Sequence, residues 1–183
     1  RLRTFVTTDA GTTWTQKEFK PDTWHVDPKS GVVYSPAGPA NVDCPGIANL
    51  TGFDDESAVA YCVDGSVYQS SDGETWDRSG STDELASAVF FESPDDGYAI
   101  WADGDCQSTV FRTTNGGSSW SERGCVYPEL TIPGIGGTSD FLMAGGNGPV
   151  LVSNDDGETW ARPKPPEVTA GPTDGPSASA TAE

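Results

Sequence analysis

The chain has little positive charge, a single histidine, a single methionine and few leucines. Its 183 residues carry 10 Lys and Arg against 28 Asp and Glu, a formal charge of −18. A surface this acidic repels phosphate backbones and anionic headgroups, which argues against nucleic acid as a partner. The plain account of so many acids is a solvated, self-repelling surface. No stretch approaches the roughly 20 apolar residues of a membrane-spanning helix, and Arg1-Leu2-Arg3-Thr4-Phe5-Val6 has no apolar signal core.

What is abundant points to strands and tight turns. The chain has 22 Gly and 14 Pro, and its 34% hydrophobic residues include 7 Phe, 6 Trp and 5 Tyr. That is enough apolar material for a core, and the turn-forming residues favour an all-β fold. Four cysteines fall into two similarly spaced pairs, Cys44 with Cys62 and Cys106 with Cys125. Neither pair has the CxxC core or clustered histidine that zinc favours, so disulfides are expected. Four cysteines allow three connectivities; local pairing fits the repeat described next and is preferred. Disulfides in turn imply an oxidising, extracytoplasmic compartment.

One phrase occurs four times: TTDAGTTW at 7–14, QSSDGETW at 69–76, TTNGGSSW at 113–120 and SNDDGETW at 153–160. A short apolar segment precedes each one: Thr4-Phe5-Val6, Ser66-Val67-Tyr68, Val110-Phe111-Arg112 and Val150-Leu151-Val152. Each reads as a half-buried strand entering a hairpin turn. Trp14, Trp76, Trp120 and Trp160 are 62, 44 and 40 residues apart, so the last two intervals hold one repeat each. The longer first interval has room for a degenerate unit around Trp24–Pro45, where Val32-Val33-Tyr34 looks like a strand and no phrase follows. Between phrases the order is strand, acidic turn, strand, turn, strand, which describes an antiparallel meander. Ser81-Thr82-Asp83-Glu84 has capping-box spacing, enough for one helical turn at most. From about 164 to 183 the chain is Pro, Ser, Thr and Ala without apolar periodicity. Residues 1–163 are therefore expected to form the repeat domain, and 164–183 a disordered tail.

The phrase resembles the Asp-box, or BNR repeat: Ser or Thr, any, Asp, any, Gly, any, Thr or Ser, Trp. Thr7, Asp9, Gly11, Thr13 and Trp14 match fully, as do Ser153, Asp155, Gly157, Thr159 and Trp160. In Thr113, Asn115, Gly117, Ser119 and Trp120 an asparagine takes the aspartate place. In the second copy Ser71 stands there, with the acid displaced to Asp72 ahead of Gly73, Thr75 and Trp76, so this hairpin is expected to be the least rigid. Whatever the family, the Asp or Asn oxygen accepts turn N–H bonds, the glycine takes positive φ and the indole anchors the hairpin. The resemblance implies a β-propeller-like array of about four to five four-stranded antiparallel blades. It is shared with sialidases, sortilin-like receptors, some glucanases and photosystem assembly factors, in which the boxes lie away from the binding face. It specifies fold and leaves function open.

No catalytic constellation stands out. A sialidase needs an arginine cluster, but Arg78, Arg112, Arg123 and Arg162 are scattered, three of them immediately beside boxes, and no Arg-Ile-Pro phrase occurs. Another glycosidase needs two carboxylates across a sugar site, yet Asp54-Asp55-Glu56 and Asp95-Asp96 occupy equivalent turns of the repeat. Asp103-Gly104-Asp105 lacks the further oxygen ligands of a calcium loop, and His25 has no partner motif. Neither a cofactor nor a metal is indicated. Gly134-Ile135-Gly136-Gly137 and Gly145-Gly146-Asn147-Gly148 are not phosphate loops and read as turns or close approaches. Trp24 and Trp101, outside the boxes, are the candidates for stacking on a sugar or peptide, with packing between blades as the competing role. The reading is a non-catalytic protein- or glycan-binding module, with a secreted glycoside hydrolase, or part of one, as the alternative.

Overall fold

The structure, a computed structural model, describes residues 4–6, 15–17, 24–82, 84–146 and 148–163. The first Asp-box and the segment from 164 onward lie outside these residues. Every described regular element is a strand, and the strands pair antiparallel with their neighbours in sequence. Strands β1 (Thr4–Val6) and β2 (Thr15–Lys17) flank the first box and pair with each other. A three-stranded sheet follows, β3 (His25–Val26), β4 (Val33–Ser35) and β5 (Gly38–Ala40). This is the degenerate unit. Without a box after its third strand, the chain goes directly on to the next sheet and no fourth strand forms.

Two complete four-stranded meanders come next. The first is β6 (Ile47–Gly52), β7 (Ala58–Cys62), β8 (Ser66–Ser70) and β9 (Asp77–Ser81). The second is β10 (Ala88–Phe91), β11 (Gly97–Asp103), β12 (Cys106–Thr113) and β13 (Ser121–Tyr127). The last sheet has β14 (Gly134–Thr138), β15 (Phe141–Gly145) and β16 (Leu151–Ser153), and a bridge from Val152 to Ala161 marks the place of a fourth strand. The all-β class and the stacked meanders expected from the sequence are thus observed, with four antiparallel sheets of three or four strands. Ser81 ends β9 and no helix follows it among the described residues.

The sheets stack face to face because alternate residues on each strand point to opposite sides. Val59, Tyr61 and Val67 of the first meander meet Val89, Phe91, Ala99, Trp101 and Phe111 of the second, with Trp120 beside them. The other face of the second meander, Tyr98, Ile100 and Val110, packs on Leu142, Ala144 and Leu151 of the last sheet, with Val126, Ile132 and Trp160. Both expected disulfides are present, Cys44–Cys62 and Cys106–Cys125, closing loops of 18 and 19 residues. Loops of that size correspond to about 3 kcal/mol each in the chain-entropy account.

Candidate functional site

The antiparallel order divides the loops of the meanders between two ends. One end carries the boxes and the turns joining first to second strands. The other carries the turns joining second to third strands and the connections between sheets. The first end is spent on structure. In the fourth box Asp155 Oδ1 accepts the Thr159 amide at 2.9 Å and the Ser153 hydroxyl at 2.7 Å, while Oδ2 accepts the Thr159 hydroxyl at 2.5 Å. The Gly157 amide donates to Ser153 Oγ at 2.9 Å. In the third, Asn115 Oδ1 accepts the Ser119 amide at 3.0 Å, and the Gly117 amide donates to Thr113 Oγ1 at 2.9 Å. The second box corrects the expectation of a weak hairpin. Asp72 Oδ1 accepts the amides of Glu74 and Thr75 at 2.9 and 2.8 Å, and Oδ2 accepts the Thr75 hydroxyl at 2.6 Å. Counted from Ser70, Asp72 occupies the aspartate place and the loop is one residue shorter; counting back from Trp76 hid this. The Thr75 and Thr159 hydroxyls, then their amides, hold the carboxyls of Asp72 and Asp155 down at about 2.

The boxes also join one sheet to the next. The third box sits on β9: the Ser118 hydroxyl donates to Ser79 O at 2.7 Å, the Ser79 hydroxyl to Gly116 O at 2.6 Å, and Trp120 Nε1 to Ser81 O at 3.1 Å. A Cβ on Gly80 would lie 1.9 Å from Gly117 O, and one on Gly124 of β13 2.4 Å from Glu158 O, so each glycine admits the following box. Trp160 Nε1 donates within its own hairpin to Gly157 O at 2.9 Å. Trp76 packs edge-on to Trp24, with its N–H buried and unpartnered.

Arginines that look scattered in the sequence converge here. Arg112 Nη1 donates to Asp156 Oδ2 at 2.7 Å and Arg123 Nη2 to the same oxygen at 2.5 Å, while the Tyr98 hydroxyl donates to Asp156 Oδ1. Arg112 also pairs with Asp96 at 3.1 Å, and Arg123 with Glu158 at 3.3 Å. Burial and the bond to Asp156 push the Tyr98 hydroxyl upward. Asp156 holds φ 60°, a conformation asparagine and aspartate tolerate better than most residues. The cluster sets two arginines against three carboxylates and clamps the last sheet to β10–β13. Aligning Asp156 with Gly116 across the boxes would have located it, given that a box packs on the preceding sheet.

The remaining candidates resolve into structure. Asp54 Oδ1 accepts the amides of Glu56 and Ser57 at 2.9 and 2.6 Å, closing the turn before β7. Asp103 and Cys106 flank the β11–β12 hairpin, with Gly104 at φ 52°. No group of three metal-ligating side chains occurs among the described residues. His25 stacks on Tyr34 at 5.1 Å. The Gly134–Gly137 stretch lies within β14 and is not a turn. Trp101 is 5% exposed and stacks on Phe111 at 3.6 Å, which makes it a core residue and corrects its candidacy for ligand stacking. Trp24 is half-buried, its Nε1 donating to Asp54 O at 2.6 Å.

The opposite end has a different character. There Val63, Leu85 and Leu130 project from loops at 51%, 62% and 49% exposure. A depression of about 210 Å³ lies where β6, β10 and β14 begin, lined by Ala48, Asn49, Tyr61, Ala86, Ser87 and Pro133 among others. Its hydroxyls are already engaged: Ala86 N donates to the Tyr61 oxygen at 2.9 Å, and Ser87 Oγ donates to Ile132 O at 2.8 Å. No carboxylate lines it. Both disulfides lie toward this end, Cys62 closing β7 and Cys106 opening β12. Sequence reasoning passed over the three aliphatic residues because single exposed apolar side chains are common.

The stacked meanders define a β-propeller-like array. No family model and no curated protein matches the chain. Among solved structures, Ycf48 bound to a D1 peptide aligns at 20% identity and TM-score 0.50, over 66% of this chain and 42% of its own. An ancestral GH74 enzyme aligns at 14% identity and TM-score 0.49, over 80% of this chain and 24% of its own. Ycf48 from Cyanidioschyzon merolae aligns at 14% identity and TM-score 0.48, over 87% and 77%. This chain therefore spans less than half of the peptide-bound Ycf48 that it resembles. At this identity the likeness concerns the fold, which is propeller-like.

Proposed function

We propose that the protein is a non-catalytic, extracytoplasmic module that binds another protein through the end of the array opposite the Asp-boxes. The observation that carries this is that exposed Val63, Leu85 and Leu130 stand on loops of the same end, which also carries two disulfides and a depression without carboxylates. Exposed aliphatic groups on rigid loops bury apolar surface at little entropic cost, which suits protein recognition. A sugar-cleaving site needs two carboxylates facing each other across a pocket, and this depression supplies neither. The disulfides favour an oxidising compartment, and no described helix is long and apolar enough to cross a membrane. A peptide ligand is also compatible with the fold, since Ycf48 is described bound to a D1 peptide. In this reading residues 1–163 act as one repeat domain, the boxes as its joints, and 164–183 as a tether.

The test is to pan a phage-displayed random peptide library on the intact chain and on a Leu85→Ser/Leu130→Ser variant, with a glycan array and a panel of chromogenic glycosides run alongside. Peptides enriched on the parent and lost on the variant are the expected result. Glycan binding or turnover, with no peptide distinguishing the two proteins, would replace this reading with the glycosidase alternative.

A further inference from the structure

Resting on the reading above, we infer that the partner presents a cationic segment with interleaved aliphatic residues to the end opposite the boxes. Within residues 24–163 the loops at this end are 36–37, 41–46, 63–65, 82–87, 104–105, 128–133 and 146–150, and they contain no Lys or Arg. They and the adjoining strand end carry exposed Asp43, Asp64, Glu84, Asp103, Asp105 and Glu129. Of the other described cations, Lys17 ends β2, Lys29 is in the turn between β3 and β4, and Arg78, Arg112, Arg123 and Arg162 lie near the boxes.

Aliphatic groups and acids therefore alternate over this end with no Lys or Arg among them in these loops, and Asp64 feels a nearby cation, Arg78 of β9. Glu84 and Leu85 are neighbours, as are Val63 and Asp64, and Glu129 and Leu130. An acidic or strongly anionic partner meets repulsion from these groups and from the net charge of −18. A neutral apolar partner leaves the acids to be desolvated at the rim without pairing, which opposes binding. A segment that sets Leu, Ile or Val against Leu85, Leu130 and Val63, with Lys or Arg between them, satisfies both sets of groups. The acids lie at the solvent-facing rim, so they act on encounter rate and selectivity, while the aliphatic contacts supply persistence. The depression at this end, with no carboxylate in its lining and its hydroxyls already bonded, makes no demand for charge.

The experiment uses three nine-residue fluorescent peptides, alternating leucine–lysine, leucine–serine and serine–lysine, titrated into the intact chain by anisotropy at 50 and 300 mM salt. The leucine–lysine peptide is expected to bind, to weaken about tenfold or more on Leu85→Ser/Leu130→Ser and on Asp103→Lys/Asp105→Lys, and to weaken as salt rises. All four positions are exposed, and thermal melting of the variants checks that the fold is kept. Equal binding of leucine–serine overturns the charge assignment while leaving the protein-binding reading in place. Serine–lysine binding as tightly as leucine–lysine overturns it too, as attraction without recognition. If the binding peptides, and those selected from the library, ignore the Leu85/Leu130 variant, the protein-binding reading itself falls.

Discussion

Among the described residues, the sheet β10–β13 is covered on both faces, whereas β14–β16 is covered on one. Equivalent positions of the repeat show what that difference does. Tyr98 and Val110 are fully buried beneath the last sheet, while Met143 and Val150, which take their places one repeat later, are each 47% exposed. A third position of that face changes from Ile100, also fully buried, to Gly145. Gly134 and Gly136 similarly take the positions of Ala88 and Phe90. Stripping side chains from an uncovered face reduces the apolar area left in water. The sequence of each sheet thus records how many neighbours it has, even though all share one meander. What holds the one-sided sheet in place must then come from its covered face and from its box.

The largest test of this comparison uses adjacent residues on β15. Leu142 is fully buried against β10–β13 and Met143 faces the other way. Leu142→Ala should lower unfolding free energy by about 2–5 kcal/mol, and Met143→Ala by less than about 1 kcal/mol, read by urea denaturation with disulfides intact. A large effect at Met143 would mean that its face is covered after all. Next in size is Gly124→Ala, whose new Cβ would press on Glu158 O and Gly157 O where the last box meets β13. Overpacking of this kind costs about 1–3 kcal/mol, and the damage should appear as faster amide exchange in β14–β16 before β6–β9. Exchange that rises uniformly would show that the joint is not local.

Asp156→Gly comes third. Glycine keeps the positive φ without strain, so the variant removes the carboxylate alone. Its side chain is 18% exposed and its arginine partners about a quarter exposed, so with solvent screening the expected loss is about 1–2 kcal/mol. A double-mutant cycle with Arg123→Ala measures the coupling. Additive losses would show that the pair contributes packing and not an ion cluster.

These positions also mark what was legible beforehand. The hairpins of the second, third and fourth boxes were, because each is closed by bonds within a few residues and their Trp residues repeat at blade spacing. The degenerate sheet could be read from Val33 and Tyr34 and the missing box, and the disulfides from near-equal spacing. The Arg112–Asp156–Arg123 cluster was not, since its members are 33 and 44 residues apart and meet only when one sheet is laid on the next. Trp101 was ambiguous because an aromatic residue before a turn serves stacking or core packing equally well in sequence. Val63, Leu85 and Leu130 each look unremarkable alone; their meaning lies in sharing one end.

The smallest effect is also the most selective between the two sheets. Asp155, in the box of β14–β16, has its carboxyl held at about 2 by the Thr159 hydroxyl and amide, whereas the box of β10–β13 has Asn115, which does not titrate. A depressed carboxyl contributes stability that is complete above its unfolded value near 4 and lost as pH falls through its folded value. Between about pH 4 and 2 the last hairpin should therefore loosen while the third does not. The indole N–H signals report each separately, Trp160 through its bond to Gly157 and Trp120 through its bond to Ser81. Trp160 should shift with a midpoint near 2, and Trp120 should stay flat over the same range. Asp155→Asn should flatten Trp160, and Asn115→Asp should give Trp120 a titration of its own. If both indoles move together in the unaltered chain, the two sheets respond to acid as one unit, and the hairpins are not the independent joints that the difference between Asp155 and Asn115 implies.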